Sequence, residues 1–162
     1  MAGVESFSCT VNDIGQRAGN APLEEIVFTL KLLYGVETDL KIEKIRDLSK
    51  YIQELSGIKM PPYKSIVGDK IFNWEAGIPT AALRKLPLSV ESYTPDLLGT
   101  KHQIILGKKA GKANVLFKLE EFGLKYDDKI VENLVSKVKE LAVEKNSYLS
   151  DKEFMELYKN LR

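Results

Sequence analysis

The residues best placed to do chemistry lie in one short stretch, DIGQRAGNAPLEE, at positions 13–25. The stretch is typical of a helix start, with Asn20 able to cap the helix and two glutamates facing its positive end. Gly15, Arg17 and Gly19 come just before this start, and a simple cap requires none of them. These residues alone favour Asn20 as a cap, and the purpose of the glycine-rich loop is the question they raise.

Two reactive residue types occur only once each, which excludes several kinds of site. Cys9 excludes an internal disulfide, and in the alternating run SFSCTV it is expected to be a small core residue of a reduced, intracellular protein. His102 excludes a His-rich metal site, and a Cys-plus-His zinc site would need more ligands. A catalytic triad would have to use His102, for which a surface position is the favoured interpretation.

Composition points to a packed domain without a nucleic-acid partner. The chain has 162 residues, 44% of them hydrophobic and 29% charged, with a net charge of +1. No clustered basic face is evident, and the lysines between Lys101 and Lys112 are separated by glycines, which favours a solvated loop over a phosphate site. No apolar run reaches the roughly 18 residues of a membrane span, and no signal peptide is recognisable, so a cytoplasmic protein without membrane contact is expected.

Apolar periodicity predicts a mainly helical chain. Helices are expected at 21–34, 40–55, near 73–85 and 95–98, and three times after residue 112, with Asp127 and a Ser150–Glu153 capping box as starts. Short strands are predicted at Phe7–Val11 and in HQIILG. A lone strand cannot satisfy its own backbone groups, so either another chain's sheet receives Phe7–Val11 or the segment is not a strand. Residues 58–112 hold five of the six prolines and are expected to be an irregular, functional segment.

Three stretches resemble one enzyme family, the 2-isopropylmalate, homocitrate and citramalate synthases. CTVNDIGQRAGNAPLEEIV is similar to the family's last barrel strand and loop, T-x-N-G-I-G-E-R-A-G-N-A-x-L-E-E, and departs from it at Asp13 and Gln16. YKSIVGDKIFNWEAGIP resembles N-K-x-I-V-G-x-x-x-F-x-H-E-S-G-I-H. PLSVESYTPDLLGTKHQIILGKKAGKA resembles P-x-x-Y-E-P-x-x-P-x-x-V-G-x-x-R-x-I-x-L-G-K-H-S-G-R. The resemblance covers nearly the whole chain, but only the C-terminal part of a family enzyme.

The resemblance implies an α/β fold that is mostly helical in this chain. Residues 1–37 would be strand eight and helix eight of a TIM-type barrel, residues 38–112 a helix with an irregular linker subdomain, and residues 113–162 a helical subdomain. The rest of the barrel, with the family's metal-binding aspartate and His-x-His pair, would lie outside this sequence. The chain is therefore expected to be a split C-terminal subunit or a truncated piece, inactive alone. An N-terminal barrel subunit would be its partner, in a dimer of such units.

The family's chemistry implies roles for a few residues. Family enzymes condense acetyl-CoA with a 2-oxo acid on a divalent metal (Mg, Mn or Zn) that polarises the keto group, and the partner chain would share that metal. Asn20 matches the family asparagine at the metal, which reverses the preference for a cap. Arg17, Asn73 and Glu75 are weaker candidates for substrate binding, and no catalytic residue is assigned.

Several family residues are replaced in this sequence. Trp74 and Pro79 stand where H-E-S-G-I-H has its histidines, Val90 replaces a tyrosine, and Lys109 replaces the histidine of G-K-H-S-G. Neither tryptophan nor proline can act as a general base. The usual proton relay is therefore either supplied differently or lost.

The expected product is homocitrate from 2-oxoglutarate, for the nitrogenase cofactor in nitrogen fixation or for lysine synthesis. The absence of a leucine-binding regulatory domain weakly favours this choice. Isopropylmalate or citramalate synthesis is the runner-up. The sequence is also compatible with a non-catalytic structural or regulatory subunit of such an enzyme, and with a free-standing helical domain.

Overall fold

The structure is a computed structural model that describes residues 3–161, and these residues form two compact units. The N-terminal unit comprises the described residues up to Phe72 together with Pro95–Lys101. The C-terminal unit comprises Asn73–Thr94 and the described residues from His102 onward.

The N-terminal unit contains two α-helices, α1 (Leu23–Tyr34) and α2 (Ile45–Ser56). Three short 3-10 turns accompany them, at Val11–Asp13, Ile42–Lys44 and Pro95–Leu98. Both helices stop at a glycine, as glycines directly after an apolar helical repeat predict, because Gly35 and Gly57 adopt the left-handed conformation directly after α1 and α2. Apolar side chains from these elements and from the connecting segments form the buried core: Val27, Phe28, Ile42, Ile45, Ile66, Val67, Phe72 and Leu98.

Two features predicted for the first residues are not formed by this chain alone. The segment Phe7–Val11 is not a strand here, since the described residues before Thr10 have no regular structure and Thr10 makes only an isolated bridge to Pro22; its reception by another chain's sheet stays a prediction. No other strand of this unit lies within the described residues to pair with it, so the alternating pattern alone does not produce a ladder. Cys9 is accordingly half-buried and not a core residue.

The C-terminal unit combines a two-stranded parallel sheet with four helices. β1 (Asn73–Trp74) pairs with β2 (Gln103–Ile104), with Asn73 opposite Gln103. The helices are α3 (Gly77–Lys85), α4 (Lys112–Glu121), α5 (Asp128–Glu144) and α6 (Asp151–Asn160). The strand prediction in HQIILG is confirmed. The helix predicted near 73–85 begins only at Gly77, because its first residues form β1, and a two-residue strand has too little length to show periodicity.

Helix starts in the C-terminal unit follow the predicted capping chemistry. The Asp127 carboxylate accepts a hydrogen bond from the Ile130 N–H at 2.7 Å. At the start of α6, the Ser150 N–H donates to Glu153 Oε2 at 2.7 Å, and the Glu153 N–H donates to Ser150 Oγ at 3.4 Å. Both caps are confirmed. None of the helices described here is long and apolar enough to cross a membrane.

The capping box at α6 predicts a pH-dependent contribution to stability. Hydrogen bonds from Lys145 and Ser150 lower the pKa of Glu153 from its ordinary 4.5 to about 2. The ionised carboxylate therefore stabilises the fold above pH 4.5, and this contribution is lost as the pH falls from 4.5 towards 2. We expect Glu153→Gln to be less stable than the parent at pH 6 and nearly equal to it at pH 2.5, as measured by urea unfolding.

Glu156→Gln is the matched control, because Glu156 is an exposed carboxylate beyond the first turn, and no hydrogen bond or ion pair involving its side chain is seen among the described residues. Its stability difference from the parent should stay flat across the same pH range. A Glu153→Gln difference that is equally flat would contradict the assignment.

Candidate functional site

The segment from Asn12 to Asn20, called here the Asn20 loop, has an unusual backbone. Asn12, Asp13 and Arg17 have φ angles of 62°, 52° and 57°, in the left-handed region that side chains rarely adopt. Each such residue costs energy and persists only where surrounding contacts hold it. This loop is therefore a fixed structure and not a relaxed connection.

Asn12 is held from two helices. Its N–H donates to Glu24 Oε2 at 3.1 Å, from the first turn of α1. Its side-chain amide donates to the Ser49 carbonyl at 3.0 Å and accepts from Ser49 Oγ at 2.6 Å, on α2. All three residues are buried. Asn12 thus joins the loop to α1 and α2 through polar contacts shielded from water, where hydrogen bonds contribute most.

Asp13 is held by Lys64, which matches the lysine of the family's N-K-x-I-V-G but was given no role from the sequence. Lys64 Nζ lies 2.6 Å from Asp13 Oδ2 and 3.4 Å from Glu25 Oε1. Burial by itself lowers the pKa of Lys64, but the hydrogen bond to Asp13 and the charges of both carboxylates outweigh it, and the pKa is raised. The family pattern has glycine at position 13. The positive φ explains that glycine, and aspartate tolerates the same conformation better than most residues.

Asn20 is the last residue of the Asn20 loop and is exposed. Its N–H donates to the Asp13 carbonyl at 2.9 Å. Its side-chain amide lies so close to Gly15 that a β-carbon there would collide with it, and a β-carbon on Gly19 would collide with the Asp13 carbonyl. Gly15 therefore makes room for this amide and Gly19 for the Asp13 carbonyl that accepts the Asn20 N–H, which explains why both glycines precede the helix start. The capping interpretation is wrong, because Pro22 is the N-cap residue of α1 and no side chain caps it.

The described residues do not by themselves group enough side chains for a metal site. Among residues 3–161, no group of three or more His, Cys, Asp or Glu side chains is placed to hold a metal ion. Asn20 fits as one oxygen ligand, since its amide is exposed and fixed by its loop, and makes no side-chain hydrogen bond to the described residues. Arg17 is exposed in the same loop. Any complete metal site would need donors from beyond these residues.

Asn73 and Glu75 lie together in the C-terminal unit, at and just after β1. Glu75 Oε1 accepts a hydrogen bond from the Lys109 N–H at 3.2 Å, and a β-carbon on Gly107 would collide with this carboxylate. Glu75 also lines a surface cavity of about 380 Å³, with Lys108, Asn146 and Tyr148 among its walls. The carboxylate is therefore held by one loop while it faces space that a ligand could enter.

A buried asparagine that sequence patterns did not reveal positions Glu75. The Asn114 side-chain amide on α4 donates to the Glu75 carbonyl at 2.9 Å and to Thr80 Oγ1 at 3.2 Å. Its oxygen accepts from the Gly111 N–H at 3.0 Å. Gly77 and Gly111 approach so closely that neither could carry a side chain without displacement. Periodicity marked only the apolar face of α4, so a polar residue in its first turn gave no signal.

The replaced family positions show no general base of the histidine type. Trp74 lies in β1 with its indole N–H buried and without a hydrogen-bond partner among the described residues. Pro79 is the third residue of α3, where its missing N–H leaves no helical bond unmade. Lys109 is exposed. The structure thus accommodates these replacements without restoring an imidazole.

His102 is not the surface residue that was expected. Its Nε2 lies 2.9 Å from both Glu91 carboxylate oxygens, and the two side chains are only 19% and 7% exposed. The family pattern has an arginine where His102 stands, eleven positions after a glutamate that matches Glu91. The pair therefore keeps a cation-capable partner for a buried carboxylate, and a structural role accounts for the histidine.

Comparison with known proteins agrees with this order of segments. A family model described as HMGL-like, a class of TIM-barrel enzymes, matches residues 1–52. A second, described as homocitrate synthase post-HMGL domain-like, matches residues 66–146, which is half of the chain. The chain belongs to the homocitrate synthase and 2-isopropylmalate synthase family.

Curated relatives that are named for three different activities have similar levels of sequence identity to this chain. Homocitrate synthase AksA of Methanocaldococcus jannaschii is 41% identical over 97% of this chain and 38% of its own length. (R)-citramalate synthase CimA of the same organism is 37% identical over 99% of this chain and 33% of its own length. 2-Isopropylmalate synthase 2 of Caldanaerobacter subterraneus subsp. tengcongensis is 36% identical over 99% of this chain and 42% of its own length. The chain spans about two fifths or less of these relatives.

Proposed function

We propose that this chain is the C-terminal part of an acyltransferase that condenses acetyl-CoA with a 2-oxo acid. The observation that carries the proposal is the Asn20 loop, in which strained backbone and buried contacts hold one exposed carboxamide. A fold does not need such a loop to begin a helix, whereas a binding site gains from a ligand fixed before binding. Family membership supports the class of reaction.

The roles of the residues follow from their surroundings. Asn20 would supply one oxygen to a divalent ion (Mg, Mn or Zn) that polarises the 2-oxo acid when bound. The guanidinium of Arg17 suits the carboxylate of that acid. Glu75, with its cavity, and Asn73 are the candidates for substrate contacts in the C-terminal unit. The remaining metal ligands and a base would come from the barrel.

We favour 2-oxoglutarate as the 2-oxo acid, which gives homocitrate. Relatives named homocitrate synthase match nearly the whole chain, which supports this choice. Relatives named citramalate synthase and isopropylmalate synthase match about as well, so these two activities are the alternatives to homocitrate synthesis. More specifically, we propose that the homocitrate is used for the nitrogenase cofactor. Its use in lysine synthesis is the alternative.

The partner we propose is the rest of the barrel, carried on a separate subunit, in a dimer of such units. The N-terminal unit exposes large apolar side chains on its first residues and at the end of α1: Val4, Phe7, Leu33 and Tyr34. Exposed apolar surface of this kind is typical of a surface that is covered in the assembled protein. A barrel whose last strand and helix belong to this chain would cover it.

A non-catalytic structural subunit is the second candidate. The observation that favours it is the loss of both family histidines at Trp74 and Pro79, without a substitute imidazole in the described residues. In that case the chain would complete the barrel and stabilise it without taking part in proton transfer.

One experiment separates these functions. The chain is purified with and without the barrel polypeptide, and CoA thiol release is measured with acetyl-CoA and 2-oxoglutarate, 2-oxoisovalerate or pyruvate. Activity only in the mixture, highest with 2-oxoglutarate, supports the favoured proposal, and another preferred acid selects one of the competing activities. A stable complex without activity supports the structural subunit. Activity of the isolated chain would contradict the shared site.

Asn20→Ala tests the proposed ligand in the assembled enzyme. We expect the half-saturating metal concentration to rise by about 10–100-fold, since an oxygen at the ion is removed. Gln16→Ala is the matched control, because Gln16 is an exposed amide in the same loop whose side chain makes no hydrogen bond to the described residues. An unchanged metal requirement in Asn20→Ala would remove Asn20 from the site.

A further inference from the structure

We propose that Glu24 is a positioning residue, whose buried carboxylate holds the Asn20 loop in the conformation that presents the Asn20 amide. Only the last step, what that amide binds, rests on the proposed function. Glu24 lies in the first turn of α1 and is 1% exposed. It does not touch the proposed ligand position, and it acts through Asn12 and Asp13.

The burial of Glu24 is poorly compensated, which is the first observation in favour of a specific role. Its Oε2 accepts the Asn12 N–H at 3.1 Å, whereas its Oε1 is buried without a hydrogen-bond partner among the described residues. A buried carboxylate with one unpaired oxygen costs stability compared with an apolar side chain of similar size. Its presence is therefore explained by the single contact it makes, and that contact is to the loop.

The loop needs that contact because two consecutive residues are left-handed. Asn12 and Asp13 both have positive φ although neither is glycine. Glu24 fixes Asn12 through its backbone N–H, while Ser49 fixes the same residue through its side chain. Without the carboxylate, the Asn12 N–H would be buried and unpaired, and the backbone would gain by leaving this conformation.

The constraint passes to Asn20 through one further contact. The Asp13 carbonyl, whose direction depends on its φ of 52°, accepts the Asn20 N–H at 2.9 Å. The same carbonyl lies directly over Gly19, and the Asn20 amide lies over Gly15. Because these groups pack without spare space, a change at Asn12 and Asp13 displaces Asn20 as well.

The test compares Glu24→Leu with Glu24→Gln in the complete enzyme, with its barrel present. Leucine fills the buried space but accepts no hydrogen bond, whereas glutamine keeps an acceptor for the Asn12 N–H. Glu54→Leu on α2 is the control, since Glu54 is exposed and no hydrogen bond or ion pair involving its side chain is seen among the described residues. Amide hydrogen exchange of residues 12–20 is measured without metal or substrate, and the half-saturating metal concentration and kcat are measured separately.

In Glu24→Leu we expect the amides of Asn12 and Asn20 to exchange at least about tenfold faster, with exchange in α4–α6 unchanged, while Glu24→Gln stays close to the parent. The half-saturating metal concentration should rise in Glu24→Leu, as in Asn20→Ala, and recover in Glu24→Gln. Unchanged exchange in the loop overturns the positioning role whether or not the enzyme condenses acetyl-CoA. Faster exchange with an unchanged metal requirement retains the loop constraint and overturns its connection to the site. If Glu24→Leu does not fold, Glu24→Met, which also fills the buried space without a carboxylate to accept the Asn12 N–H, takes its place in both measurements with the same expected outcomes.

Discussion

Phe154→Ala is expected to destabilise the C-terminal unit by about 3–5 kcal/mol, the usual cost of emptying a fully buried aromatic site. Phe154 has no exposed surface, and its ring centroid lies 6.3 Å from that of Phe122. It packs in a core built by α4, α5, α6 and the segments just before α4 and α6: Leu106, Ala110, Val115, Leu119, Val131, Leu134, Val138, Ala142, Leu149 and Tyr158. Urea unfolding followed by fluorescence measures the loss, since Trp74 is the single tryptophan and lies in this unit.

Two companion variants make the result specific. Phe154→Leu keeps most of the volume and should cost less than half as much. Leu141→Ala removes an apolar side chain that is more than one third exposed on α5, and should cost about 1 kcal/mol or less. Equal losses for Phe154→Ala and Leu141→Ala would show that Phe154 does not occupy a closed core.

Asn114→Ala is expected to destabilise the same unit by about 2–3 kcal/mol, since it leaves buried partners unpaired. The Glu75 carbonyl and the Gly111 N–H each lose a hydrogen bond. The effect should extend to function, because Asn114 fixes the chain at Glu75 beside its cavity. In the assembled enzyme, the substrate contact proposed for Glu75 predicts a higher KM, together with the lower stability.

Asn114→Asp separates the two halves of this amide. Aspartate keeps an acceptor for Gly111 but loses the donor to Glu75, and its charge would be buried, so we expect it to be no more stable than Asn114→Ala. Asn133→Ala is the matched control, because Asn133 is an exposed helical asparagine on α5 whose side chain makes no hydrogen bond to the described residues. Its stability should stay within about 0.5 kcal/mol of the parent. A similar small change in Asn114→Ala would refute the role of Asn114.

The departures from the family pattern fall into two groups. Asp13 replaces glycine and is paired with Lys64, and His102 replaces arginine and remains beside Glu91, so both sites keep a compensating contact. Trp74 and Pro79 replace histidines and gain no such contact within the described residues. A compensating contact is therefore found where the replaced residue supports the backbone or a buried carboxylate. No such contact is found, in the described part of the chain, at the two positions where the family pattern has histidines that would act as acid or base. This difference is the reason to test catalysis and assembly as separate properties.

The sequence by itself determined most of the helices, although not every start, since α2 begins only at Ile45 and α3 only at Gly77. The caps at Asp127 and Ser150 and the stops at Gly35, Gly57 and Gly123 depend on residues within a turn of each helix terminus, so local chemistry was sufficient. The ordered motifs also determined the family, since they are read along the chain without reference to its fold. The motif turned attention from capping to the amide of Asn20; the structure shows that Asn20 does not cap α1, and its place at a metal stays a prediction.

Only the tertiary structure decided how that amide is held. Glu24 and Ser49 lie 12 and 37 positions from Asn12, and Asn114 lies 39 positions from Glu75. Contacts over such separations leave no periodic trace, because a buried polar residue looks like an exposed one until its partners are known. The same reason explains the missed pairing of β1 with β2 and why Phe7–Val11 forms no strand in this chain alone. An alternating pattern expresses which face a residue prefers, whereas a strand exists only when a neighbour accepts its hydrogen bonds.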